Sequence, residues 1–261
     1  MTQTAAETLN VVRALEEYCD AAVERLRPLY RLMDFPEEMP FSDWLMLYSL
    51  TMQHGPRRVV EIGRGFGSST CVFAEVARAL GASLVSYDLE HGQWAATLPK
   101  VARAMGKAWL RREELVGVDF MLVHPKQVVP GGERTVVFLA PHDRDHAAHI
   151  VTHIFPRLGP DDLIIVRNVT DFGSGLVEAV PVQWCYESYC SPFESLAVLH
   201  EYWQRHNTLV RSPARDVAPM MAVPADTWAR FSVRLPAEAR PLIGRGGHWV
   251  YFSLDGPEGT R

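Results

Sequence analysis

The stretch "VVEIGRGFGSST", residues 59–70, places three glycines between an apolar run and a helix-favouring run. On its N-terminal side, "RRVVEIG" (57–63) is short, apolar and closed by glycine, the pattern of a strand buried on both faces of a parallel sheet. On the other side, "SSTCVFAEVARAL" (68–80) reads as a helix that Gly81 stops, and "SLVSYDLE" (83–90) as a second strand. Strand, glycine turn, helix and strand make one βαβ unit, whose crossover is right-handed.

Working outward, "TVVFLA" (135–140) and "DLIIVRNV" (162–169) read as two more buried strands, with a histidine-rich helix between them. The alternation predicts an α/β fold with a Rossmann-like, doubly wound sheet. "SPFESLAVLHEYWQRHN" (191–207) opens with a capping box, Ser191 with Glu194, and carries Pro192 at the first helical position. "GGHWVYFSL" (246–254) alternates as a late antiparallel strand, while the proline- and arginine-rich residues 211–245 carry no readable pattern.

Toward the N-terminus, Val12, Leu15, Cys19, Ala22, Leu26, Leu29 and Met33 recur at offsets of three and four, the stripe of an amphipathic helix. Docking on the chain's own core is one reading of the stripe, and a homodimer seam is the other. "SDWLMLYSLTMQ" (42–53) reads as a second helix capped by Ser42 or Asp43. Residues 1–54 are thus read as an N-terminal helical extension, and 55–261 as the ligand-binding domain.

A chain of 261 residues with 48% hydrophobic and 22% charged residues reads as a soluble globular protein. Its net charge of -5 offers no field for a phosphate backbone, so nucleic acid is not an expected partner. Cys19, Cys71, Cys185 and Cys190 are scattered and suggest neither a disulfide framework nor a zinc knuckle. No apolar run is long enough to span a bilayer, and the N-terminus lacks a signal-peptide pattern. A cytoplasmic location without membrane contact is the expectation.

Gly63, Gly65 and Gly67 lie where missing side chains let a ligand approach the backbone, the alternative being a turn that merely packs. The dinucleotide fingerprint is G-x-G-x-x-G, whereas this turn reads G-x-G-x-G, with Glu61 two residues before the first glycine. A carboxylate at the strand mouth would repel a pyrophosphate and favour a cationic sulfonium nucleoside, S-adenosylmethionine (SAM). Asp88, ending the second strand, can accept ribose hydroxyls with either cofactor.

"VVEIGRGFGSST" followed by "VSYDLE" resembles the first two motifs of class I SAM-dependent methyltransferases. The likeness is greatest to the small-molecule enzymes of bacterial secondary metabolism grouped with cephalosporin-hydroxylase-like and family 24 methyltransferases. It covers roughly residues 55–170. The resemblance implies a seven-stranded sheet, with SAM across Gly63, Gly65 and Gly67 beside Glu61 and Thr70. It also implies the ribose on Asp88 and the adenine near an acid after the third strand, for which Asp119 is the candidate; a plain loop residue is its other reading. Many relatives that methylate hydroxyls hold a divalent metal on an aspartate ending the fourth strand and on Asp or Asn ending the fifth. Here those strands end in Ala140 and in Arg167–Asn168, so no metal is expected.

His142, His146, His149 and His153 are spaced by four, three and four. On a regular helix they form one row, roughly 140° from the apolar set Ala147, Ile150, Val151, Ile154 and Leu158 at about 100° per residue. The row is therefore expected to face solvent. His142 precedes the helix and follows the fourth strand, where it reads either as a general base oriented by Asp143 or as a turn histidine. Residues 168–191, with several aromatics and glycines 173 and 175, have the make-up of a lid over a small-molecule acceptor, with Asn168, Asp171 and Tyr186 as polar candidates. The expected activity is metal-free methyl transfer from SAM to a small molecule, at a hydroxyl. The rivals are breakage of another sulfonium bond, an NAD-dependent oxidoreductase and a non-catalytic binding module.

Overall fold

In the computed structural model the described residues are 5–33, 39–89, 94–106, 109, 115–140, 144–167, 169–171, 184–186, 192–206, 208–211 and 249–254. The strands are β1 (Arg58–Ile62), β2 (Ser83–Asp88), β3 (Leu115–Gly117), β4 (Thr135–Leu139) and β5 (Leu163–Arg167), of which β1, β4 and β5 are short β-branched runs. A ribbon of β6 (Val169–Asp171) and β7 (Trp184–Tyr186) follows, and the last strand is β8 (Trp249–Phe252). The helices are α1 (Ala5–Thr8), α2 (Val11–Tyr30), α3 (Phe41–His54), α4 (Ser68–Leu80), α5 (Trp94–Met105), α6 (Pro125–Val128), α7 (Arg144–His149) and α8 (Pro192–His206).

The main sheet has the order β3-β2-β1-β4-β5-β8. All neighbours are parallel except β8, which runs antiparallel to β5 with Val166 opposite Val250. Among the described residues this sheet has six strands, where the resemblance implies seven. The order reverses between β1 and β4, and in open α/β sheets the crevice at that reversal is where ligands bind.

Strands β4 and β5 are buried along their whole length, so each residue serves one of two cores. Val59, Val136, Phe138 and Ile165 face α2, α3 and α4. Val60, Val137, Leu139 and Ile164 face the other layer, built from Ile150, Ile154, Phe155, Leu199 and Trp203. This period of two on a doubly covered sheet is why the strands read as continuous apolar runs.

The α2 stripe, Val11, Ala14, Leu15, Cys19, Ala22, Leu26 and Leu29, is buried against α3 and α4 of the same chain. Of the two readings of the stripe, docking on the chain's own core is the one that this packing matches. The cap of α3 also differs from expectation. Pro40, with φ of -53°, takes the N-cap position, the helix begins at Phe41, and Ser42 and Asp43 are buried inside its first turn. No described helix is long and apolar enough to cross a membrane.

His54, at the end of α3, is 5% exposed, and its carbonyl accepts a hydrogen bond from Arg134 Nη1 at 3.2 Å. Burial, reinforced by the Arg134 charge, pushes its imidazole down to about 4. The unfolded chain binds this proton near pH 6.5, so between about 6.5 and 4 it carries more protons than the folded one. Stability therefore falls as pH falls through that window, by about 3 kcal/mol in full. Urea unfolding at pH 7 and pH 4 is expected to show that this share of the loss disappears in His54→Gln; an unchanged difference would contradict it.

Candidate cofactor site

The turn after β1 is held by its own backbone and by one carboxylate. Gly63 N–H donates to the Tyr87 carbonyl at 3.0 Å, and Gly67 N–H to the Arg64 carbonyl at 2.9 Å. Arg64 N–H and Gly65 N–H both donate to Asp88 Oδ2, at 2.8 and 3.1 Å, and Leu89 N–H donates to Asp88 Oδ1 at 2.7 Å. Gly63 and Gly67 have φ of +86° and +94°, a region that favours glycine. Both also need the missing side chain for packing: a Cβ on Gly63 would lie 2.8 Å from the Ala140 carbonyl oxygen, and one on Gly67 2.7 Å from the Leu98 side chain. Four amides of the turn are thus spent inside the protein. A diphosphate, which needs such amides as donors, would meet the Asp88 carboxylate instead.

Glu61 lies beneath the turn and is fully buried. Its Oε1 accepts from Ser69 Oγ at 2.5 Å, and its Oε2 accepts from Thr70 Oγ1 at 2.6 Å and from Ser86 Oγ. Burial raises its proton affinity, and the three hydroxyls and the Arg64 charge oppose that. The expected place of Glu61 is the mouth of the strand, facing the cofactor. In the structure its side chain, with Thr70, is enclosed among α4 and β2 hydroxyls, and its role is to fasten the turn from below.

Arg64, the residue between the first two glycines, is also fully buried. Its Nε donates to Ser86 Oγ at 2.8 Å, its Nη2 donates to the Ser86 carbonyl and to the Val116 carbonyl at 3.4 Å, and its guanidinium lies 4.4 Å from the centre of the Trp94 ring. Ser86 therefore relays between the buried cation and the buried acid. Sequence reading passed over Arg64, because a charge in a glycine turn reads as exposed.

Above the turn lies an open cleft at the carboxyl ends of β1 to β4. Its lining is Ile62, Gly63, Tyr87, Asp88, Leu89, Val118, Asp119, Phe120, Ala140 and His146. Three of the sequence candidates, Gly63, Asp88 and Asp119, meet there. Leu89 is 62% exposed at the rim. Asp119 caps the short turn after β3, with Oδ1 accepting from Met121 N–H at 2.9 Å.

The histidine row is not wholly solvated. Phe120 covers part of it: His146 stacks on that ring at 5.4 Å and His149 meets it edge-on at 5.6 Å. His153 is exposed, and its ring lies 4.6 Å from that of His149. Burial, then the neighbouring His153, lowers the proton affinity of His149. Of the apolar set, Ala147, Ile150, Ile154 and Leu158 are buried as read, and Val151 is half-buried. The ring of Phe120 arrives from the turn after β3, outside the periodicity of the histidine helix. The helix also widens into a π-helical turn at Ile150–Ile154, a feature common near functional sites. Among the described residues, no three His, Cys, Asp or Glu side chains come together as metal ligands.

His142, Asp143 and Asn168 lie outside the described residues. Asp171 and Tyr186 belong to the β6–β7 ribbon that follows β5, where Asp171 pairs with Trp184 and Val169 with Tyr186. At the strand ends read as metal positions, Ala140 lines the cleft and Arg167, closing β5, is buried.

No protein-family profile matches the chain, and no curated protein matches it in sequence. Solved structures do resemble it in fold. A Klebsiella pneumoniae protein provisionally designated an O-methyltransferase aligns with a TM-score of 0.51 at 12% identity, over 92% of this chain and 99% of that one. The O-methyltransferase TomG of Streptomyces achromogenes, involved in tomaymycin synthesis and solved with SAM, aligns at 0.50 and 14% identity, over 90% of each chain. Cofactor-bound Rv0187 from MTB aligns at 0.50 and 14% identity, over 93% of this chain and 96% of that one. The fold is that of the class I methyltransferases.

Proposed function

We propose that the chain is a SAM-dependent methyltransferase that acts on a small molecule, with a hydroxyl as acceptor and without an obligatory metal. The observation that carries this reading is the cleft: an apolar slot at the switch point, edged by the carboxylates of Asp88 and Asp119, over a glycine turn whose amides are already used. Such a slot suits a nucleoside without phosphates. Ile62, Leu89, Val118 and Phe120 supply faces for a flat base, and Asp88, with two of its lone-pair sites on Oδ2 and one on Oδ1 engaged, keeps an acceptor for a ribose hydroxyl. When bound, SAM supplies an activated methyl carbon.

The chain's part is then alignment and proton removal. Holding acceptor and donor in line can supply about 7–11 kcal/mol. His142, three residues beyond the end of β4 and next to Asp143 in sequence, is the proposed base, and such a group contributes about 10²- to 10⁴-fold. Asn168, Asp171 and Tyr186 are proposed to meet the acceptor. Ala140, where the fourth-strand aspartate would stand, and Arg167, whose positive charge at the end of β5 opposes a cation, support metal independence; Asn168 alone at these strand ends carries a side-chain oxygen.

Thermal unfolding with S-adenosylhomocysteine or NAD separates this reading from the oxidoreductase. At a hundredfold excess over Kd the homocysteine nucleoside is expected to add about 2.7 kcal/mol to stability, and NAD nothing measurable. Stabilisation by NAD alone would overturn the proposal.

A further inference from the structure

We infer that His146 is a positioning residue for cofactor recognition, aiming Asp119 so that the cleft selects adenine over a 6-oxopurine. The inference rests on the reading of the cleft as a SAM site, and it concerns a residue for which that reading has no use.

Two groups converge on one oxygen of Asp119. Met121 N–H donates to Oδ1 at 2.9 Å, and His146 Nε2 lies 3.8 Å from the same atom, beyond a direct hydrogen bond and within ion-pair distance. Oδ2 is thereby left as the oxygen with which Asp119 can address the cleft that it lines. His146 is itself fixed, for its ring stacks on Phe120 at 5.4 Å with 29° between the planes, and Phe120 is 6% exposed. Its side chain keeps 22% of its surface and lines the same cleft. The imidazole thus joins β3's capping turn to α7 across the wall of the slot.

The chemistry follows from hydrogen-bond polarity. A carboxylate only accepts. The exocyclic amine of adenine donates, whereas the 6-oxo group of hypoxanthine accepts and would face the carboxylate with like polarity. Discrimination depends on the direction in which Oδ2 points, and a swinging Asp119 would lose it without losing the apolar faces of the slot.

The test is a calorimetric titration of the full chain with S-adenosylhomocysteine and with S-inosylhomocysteine. Wild type is expected to prefer the adenosyl ligand by about 10- to 100-fold, the range for a hydrogen bond to a charged group. His146→Phe, which keeps the stacking and removes the nitrogen, is expected to bring the ratio to within about threefold, as is Asp119→Ala. His146→Gln, which keeps a donor, should retain most of the preference. An undiminished ratio in His146→Phe would show that the ring only packs and would overturn the inference. An undiminished ratio in Asp119→Ala would place base recognition elsewhere and overturn it too. Wild type that binds neither ligand would instead refute the SAM reading beneath it.

Discussion

Asp88→Ala is expected to weaken S-adenosylhomocysteine binding by about 10²- to 10³-fold while leaving the chain folded. Asp88 accepts three backbone N–H groups, from Arg64, Gly65 and Leu89, and so ties the turn after β1 to the end of β2. Hydrogen bonds to a charged acceptor contribute about 1.5–3 kcal/mol each. Water can replace part of this, because the carboxylate borders an open cleft. The same substitution removes the proposed ribose acceptor, so a net loss of about 3–4 kcal/mol in binding is the sum expected. Asp88→Asn keeps one acceptor oxygen and should fall between the two. Titration calorimetry reads the effect directly, and an affinity for Asp88→Ala within about threefold of wild type would show that the turn does not form the site.

The second large effect is on stability. Arg64→Met removes a cation that is fully buried beside the equally buried Glu61, with Ser86 between them. Each charge shifts the other's equilibrium toward its ionised form, against the burial that opposes it. Removing one partner of a buried charged network typically costs about 3–5 kcal/mol, a large part of a domain's about 5–15 kcal/mol. The loss should also free the Trp94 ring from its contact with the guanidinium. Adding Glu61→Gln to Arg64→Met should restore part of the loss, because the orphaned charge is gone. Urea unfolding of both single variants and the double variant gives the coupling. A double variant whose loss equals the sum of the single losses would contradict the network.

The fold was legible because its determinants are local and periodic. Strands β1, β4 and β5 announce themselves as β-branched runs, and Gly81 ends α4 in the left-handed conformation expected of it, with φ of +65°. The site was legible where a residue ends a strand. Gly63, Asp88 and Asp119 reach one cleft since the carboxyl ends of parallel strands converge there. Glu61 shows the limit: its position along the strand was right, but the side of the sheet it takes is set by hydroxyls on α4 and β2. Arg64 and His146 were missed for a related reason. Their roles depend on Trp94, Ser86 and Phe120, partners brought in by tertiary packing from outside any local pattern.

The central claim is that this cleft binds SAM without a metal, and calorimetric titration of metal-stripped protein with S-adenosylhomocysteine tests it most directly. Saturable one-to-one binding, unchanged by added magnesium or zinc, is the predicted result. Folded protein that shows no binding, or that binds only after a metal is restored, would contradict it.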